Sequence, residues 1–147
     1  MQSLYYIISI LAGLAVAIQA GVNSQLQLAV KSPLISGLIS FLIGTPAIIL
    51  VILCTNPKSF SNLTNVTHAS WWHLTGGIMG AIYICSIIIV VPKIGAANMI
   101  GYTVAAQLIF AVIFDHFGWI GFPIHTISWQ RILGVALLLS GLYFVKK

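Results

Sequence analysis

Five blocks of roughly twenty apolar residues, separated by short polar breaks, dictate the solvent in which this chain folds. Crossing a hydrocarbon core of about 30 Å takes about 20 apolar residues, and inside it every main-chain N–H and C=O must be satisfied within the protein. The blocks predict helices at 4–22, 33–53, 72–91, 96–114 and 129–145. The expected fold is an all-α membrane protein, a bundle of about five transmembrane helices forming one transmembrane domain over 1–147.

Charge supports this reading. The chain is 60% hydrophobic and 5% charged, whereas a soluble domain carries about 25% charged residues. The formal charges are Lys31, Lys58, Lys93, Arg131, Lys146, Lys147 and one acid, Asp115. They are scattered between apolar blocks rather than gathered into a basic patch, which argues against a nucleic-acid partner. They read instead as loop charges that orient a membrane protein. Cys54 and Cys85 show no CxxC or Cys/His ligand spacing, and His68, His73 and His125 lack a ligand constellation, so no disulfide framework, metal or cofactor is expected. The first apolar block opens without Lys or Arg and outruns a signal-peptide core, so it reads as a retained helix.

Punctuation falls between the blocks. Ser32-Pro33 opens the second helix and Asn56-Pro57-Lys58 follows it; Ser70 is placed to cap the third, and Pro92-Lys93 ends it. Trp71, Trp72, Trp119 and Trp129 stand at helix ends or in loops, where aromatic belts lie. The polar stretch 59–69 resembles a soluble linker. Small residues recur four apart along the helices: Gly13, Ala17 and Gly21; Ser36, Ser40 and Gly44; Gly76 and Gly80; Ala97, Gly101 and Ala105. Gly134 and Gly141, seven apart, mark the fifth. Such stripes let backbones approach closely where no hydrophobic effect drives helix against helix, and they predict a closely packed bundle.

The order of several motifs resembles the YdcZ-type family of the drug/metabolite transporter superfamily. The motifs are the run from Gln19 through Gly21 and Asn23 to Gln25; Ser40 to Gly44 and Thr45; Trp71-Trp72 ahead of Gly76, Gly77, Gly80 and Tyr83; and Pro92 with Gly95-Ala96-Ala97. Gln107, then Asp115-His116-Phe117-Gly118, then Arg131 with Gly134 and Gly141 complete them, over nearly the whole chain. The resemblance implies an inner-membrane transporter built as a five-helix half unit of an inverted-repeat fold. A chain of this length would then pair with itself or with a homologue to enclose a path, as inverted repeats rock around a midplane site.

The candidate substrate-binding residues are Gln19, Asn23, Gln107, Tyr83, Asn98 and Tyr102. Gln19 and Asn23 are four apart on one helical face, and Gly21 between them leaves room for a ligand or another backbone. An unpaired amide in hydrocarbon is costly, so these groups must face protein, water or substrate. Interhelical hydrogen bonding is the structural alternative. For Tyr83 and Tyr102 that alternative is an aromatic ring whose hydroxyl is satisfied in the bundle. No Asp, Glu, Lys or Arg lies in the middle of any predicted span. The related small multidrug resistance family carries a membrane-embedded Glu in its first helix, where this chain offers neutral Gln19. That departure disfavours cationic-drug antiport and favours a neutral or zwitterionic solute, or facilitated diffusion. Asp115 and His116 are the remaining candidates for proton coupling; alternatively they form a helix stop, with Gly118 turning the chain and Arg131 balancing Asp115.

The expected function is a secondary transporter or facilitator of a small metabolite or drug-like solute, working as a dimer by alternating access. A small dimeric channel and a membrane accessory subunit are the rivals. No nucleophile–base pair, phosphate loop or metal-ligand set points to an enzyme. Five spans put Lys31, Lys93, Lys146 and Lys147 on one side and Lys58 and Arg131 on the other. The positive-inside bias thus favours a cytoplasmic C-terminus only weakly, and an antiparallel dimer with itself or a paired homologue is the expected assembly.

Overall fold

The computed structural model describes residues 2–145, and among them all regular structure is helical. Lys146 and Lys147, which enter the charge bias, lie outside the described residues. Five α-helices follow one another: α1 (Gln2–Val30), α2 (Pro33–Thr55), α3 (Gly76–Ile94), α4 (Ala96–Phe117) and α5 (Trp129–Val145). The first four spans are long and apolar enough to cross a bilayer, the third with the Trp71–Thr75 turn that precedes it; α5 is a shorter apolar helix of 17 residues. The chain divides into two compact units at Pro92–Lys93.

In the first unit, α1 runs eight residues past the expected end at Val22. Residues 23–30 contain no Gly or Pro, and Gln, Leu and Ala are strong helix formers, so the hydrogen-bond ladder continues where hydropathy falls. It stops at Lys31, which takes the left-handed conformation (φ 54°) that commonly ends helices. Ser32 then turns extended and Pro33 supplies the preset φ of a first helical residue. The Ser32 hydroxyl accepts the Ile35 N–H at 3.3 Å, as the N-cap reading requires. Within α2, Pro46 has no N–H for the Leu42 carbonyl, while one residue earlier Thr45 Oγ1 donates to the Phe41 carbonyl at 2.9 Å.

Packing in this unit uses small residues, only some of which belong to the predicted stripes. Gly37 of α2 lies against α3: the Cβ it lacks would stand 3.3 Å from Cys85 Sγ and 3.7 Å from side-chain carbons of Ile84 and Ile88. Ile87 and Ile88 are buried at this level of α3. Gly80 meets Phe41. By contrast, no atom lies within 4 Å of the Cβ that Gly13, Gly21, Gly44 or Gly76 would carry, so these stripe positions make no helix contact of that kind within the chain.

The stretch read as a linker is ordered instead. Pro57–His68 forms a 3-10 helix, and a second 3-10 turn covers Trp71–Thr75 before α3 begins at Gly76. Ser70 precedes that turn without a side-chain capping bond. Three hydroxyls explain the geometry. Ser61, Thr64 and Thr67 each donate to the carbonyl three residues back, at 2.8, 2.9 and 2.9 Å, so each reinforces the three-residue repeat of the main chain.

In the second unit, α4 follows Gly95 (φ 83°) and closes at Gly118, whose left-handed φ of 64° lets its N–H reach the Phe114 carbonyl. The expected helix stop is therefore present. Residues 119–128 fold back over the end of α4 before α5 starts. Helices α4 and α5 pack closely at Gly101, where an added Cβ would collide with Leu142 Cδ1. Ala105, one turn further, and Leu142 are both buried.

Candidate functional site

The site builds up from α1. Because that helix continues past Val22, Gln27 falls four residues beyond Asn23 and eight beyond Gln19, giving a file of amides along one face. The extension to Gln27 was missed because hydropathy alone ended the helix early; the i, i+4, i+8 spacing was the signal available. Gln27 Oε1 is enclosed without a hydrogen-bond partner among the described residues.

A groove of about 440 Å³ opens between α1 and α2 in this unit. Gln19 and Asn23 line it from α1 and Ser40 from α2; Ile18, Ile39 and Ile43 supply apolar wall. Its lining contains no formal charge. Asn23 is only 5% exposed, yet its side-chain amide makes no hydrogen bond among the described residues. Its main-chain carbonyl is engaged, accepting the Ser36 hydroxyl at 2.9 Å in a buried contact between the two helices. The hydroxyl thus fixes the helix pair at one end of the groove and leaves the Asn23 amide free. Gln19 remains exposed in the single chain. The arrangement can exchange hydrogen bonds with a polar solute while offering it no counter-charge.

The other candidates sit elsewhere. Tyr83 is half-buried on α3 and is not part of the groove lining. Gln107, Asn98 and Tyr102 belong to α4 in the second unit. Gln107 and Tyr102 are exposed on that helix. Asn98 donates its amide to the Ile94 carbonyl at 2.8 Å and keeps its own Oδ1 buried without a partner among the described residues.

Asp115 and His116 form a small clamp at the end of α4. Arg131 Nη1 donates to Asp115 Oδ2 at 3.1 Å, an ion pair with both side chains half-buried. The His125 N–H donates to the Asp115 carbonyl at 2.9 Å, and the Ile127 N–H donates to His116 Nδ1 at 3.3 Å. Asp115 and Arg131 also line a groove of about 270 Å³ with Leu108, Ala111 and Val112. Among the described residues no group of three His, Cys, Asp or Glu side chains is placed to hold a metal ion.

Comparison with known proteins agrees with the membrane architecture. The inner membrane protein YdcZ of Escherichia coli (strain K12) is 27% identical over 147 residues, covering 99% of this chain and 97% of that protein. No solved structure matches. A family model described as "Putative inner membrane exporter, YdcZ" matches residues 4–144. The chain belongs to this YdcZ family and is a multi-pass inner-membrane protein.

Proposed function

We propose that the chain is a secondary transporter or facilitator of a small neutral or zwitterionic solute, working as a dimer by alternating access, with the amide file of α1 as one wall of the path. The supporting observation is the uncharged groove in which Gln19 and Asn23 stand side by side among aliphatic residues. Gln19 lies near the middle of α1 and Gln107 near the middle of α4, with Asn23 one turn further toward the end of α1. An amide at that depth requires a partner, because exposure to hydrocarbon costs several kcal/mol on the order of magnitude of a lost hydrogen bond or more. A second copy of the chain, or a homologue, would cover the exposed Gln19 and enclose the groove. The absence of a mid-span carboxylate argues for a solute that needs no counter-ion.

A thermal-shift screen of neutral and zwitterionic metabolites against purified protein identifies ligands, since binding to the native state raises apparent stability. The best ligand then enters counterflow measurements in proteoliposomes. Gln19→Leu is expected to abolish counterflow while leaving membrane insertion intact. Wild-type counterflow by that variant, or unitary currents in place of saturable exchange, would overturn the reading.

A further inference from the structure

The connection between α2 and α3 carries an apolar face that the transport reading does not use. In Pro57–His68 and the residue after it, every third position is apolar: Pro57, Phe60, Leu63, Val66 and Ala69. The two remaining registers are polar throughout, Lys58, Ser61, Thr64 and Thr67 in one and Ser59, Asn62, Asn65 and His68 in the other. A 3-10 helix has three residues per turn, so each register becomes one face. In an α-helix the same positions would drift by about 60° per step and the stripe would wind around the axis. The pattern therefore matches the helix type that forms, and the Ser61, Thr64 and Thr67 hydroxyls hold that type on the polar side.

We propose that this 3-10 helix lies in the plane of the bilayer surface, with Phe60, Leu63 and Val66 set into the boundary between lipid headgroups and acyl chains. The occupant of the apolar face is thus lipid of the membrane the chain already spans. Continuity supplies the argument. The helix joins the end of one membrane-spanning helix to the start of the next, so both of its ends are tethered at one bilayer surface. At about 2 Å per residue it extends roughly 24 Å, too far to be a simple hairpin turn. Leu63 and Val66 are 63% and 50% exposed, and Phe60 keeps 36% of its surface open. The turn that follows carries Trp71 and Trp72, both exposed, whose amphipathic rings suit the same layer. The segment 57–75 contains no acid, so nothing in it repels an anionic headgroup. An amphipathic helix so tethered buries its apolar face in the interface.

Spin labels placed one at a time at positions 58–69, in a Cys54→Ala, Cys85→Ala background, test this in vesicles of phosphatidylcholine and phosphatidylglycerol. Collision with oxygen reports acyl-chain exposure, and collision with a polar nickel complex reports water. Oxygen accessibility should peak at 60, 63 and 66, and nickel accessibility at 62, 65 and 68. Uniform nickel accessibility would overturn the proposal, as would a 3.6-residue period. Shielding of 60, 63 and 66 from both reagents would also overturn it, because protein would then cover the face. Should the cysteine-free background fail to fold, tryptophan quenching by lipids brominated near the headgroup serves in protein that keeps both cysteines. Leu63→Trp should add a quenched component and Asn62→Trp should not; equal quenching of the two would refute the placement.

Discussion

The Ser36 hydroxyl donates to the main-chain carbonyl of Asn23 at 2.9 Å, across thirteen residues and two helices, with Ser36 fully buried. This contact settles how α1 meets α2 and so how wide the groove beside Gln19 can be. Ser36→Ala removes the bond without adding volume and should cost about 0.5–1.5 kcal/mol. Ser36→Leu forces a larger side chain between the helices and should cost about 1–3 kcal/mol more. Thermal unfolding in detergent should show the alanine variant a few degrees below wild type and the leucine variant well below both. Equal midpoints for all three would place Ser36 outside any helix contact.

Packing of α2 on α3 offers a chemical test. The Cβ that Gly37 lacks would lie 3.3 Å from Cys85 Sγ, close enough for a second thiol on α2 to bridge to it. Gly37→Cys, in a Cys54→Ala background, should form a disulfide with Cys85 under mild oxidation, detected as a shift in mobility after proteolysis between α2 and α3. Cys54 is exposed and is removed so that it cannot compete. Gly44→Cys, which has no neighbour within 4 Å, should give no such intrachain bridge.

The Asp115–Arg131 pair should couple the end of α4 to the start of α5. Asp115→Asn and Arg131→Gln are each expected to destabilise the protein, because each leaves a half-buried partner charge without its counter-ion. A double-mutant cycle should return a coupling of about 1–2 kcal/mol. A coupling near zero would make the contact incidental. If the two residues instead carry coupled protons, transport should fail in Asp115→Asn at unchanged stability, an outcome that the cycle and the counterflow measurement separate.

Orientation provides the fourth prediction. If all five helices span the bilayer, Lys31 and Lys93 are expected on one side with Lys146 and Lys147, against Lys58 and Arg131 on the other. Such a small excess orients weakly. Reporter fusions at the C-terminus should give signal on both faces if inverted copies pair, and Lys146→Gln with Lys147→Gln should shift the balance outward. A purely cytoplasmic signal, together with cross-links between parallel copies alone, would rule out the antiparallel homodimer.

The spans were legible because hydrocarbon imposes a length and an internal hydrogen-bonding rule on each segment separately, with no reference to its neighbours. The Ser32-Pro33 start of α2 and the Gly118 stop of α4 were legible for the same reason: both are local backbone events. Gln19 and Asn23 could be assigned to one face from helical periodicity alone. Other features required the folded chain. Which small residues meet a partner is decided by how two helices cross, so Gly37, Gly80 and Gly101 pack while Gly13 and Gly44 find nothing. The Ser36–Asn23 bond depends on the register of α1 against α2, which neither sequence segment contains. The continuation of α1 to Gln27 followed main-chain hydrogen bonding rather than hydropathy, and those two signals diverge where a membrane helix turns polar. The three-residue period of 57–69 was present in the sequence throughout. It acquired meaning only once the 3-10 helix showed that all of those residues share a face, since the same spacing on an α-helix winds around the axis.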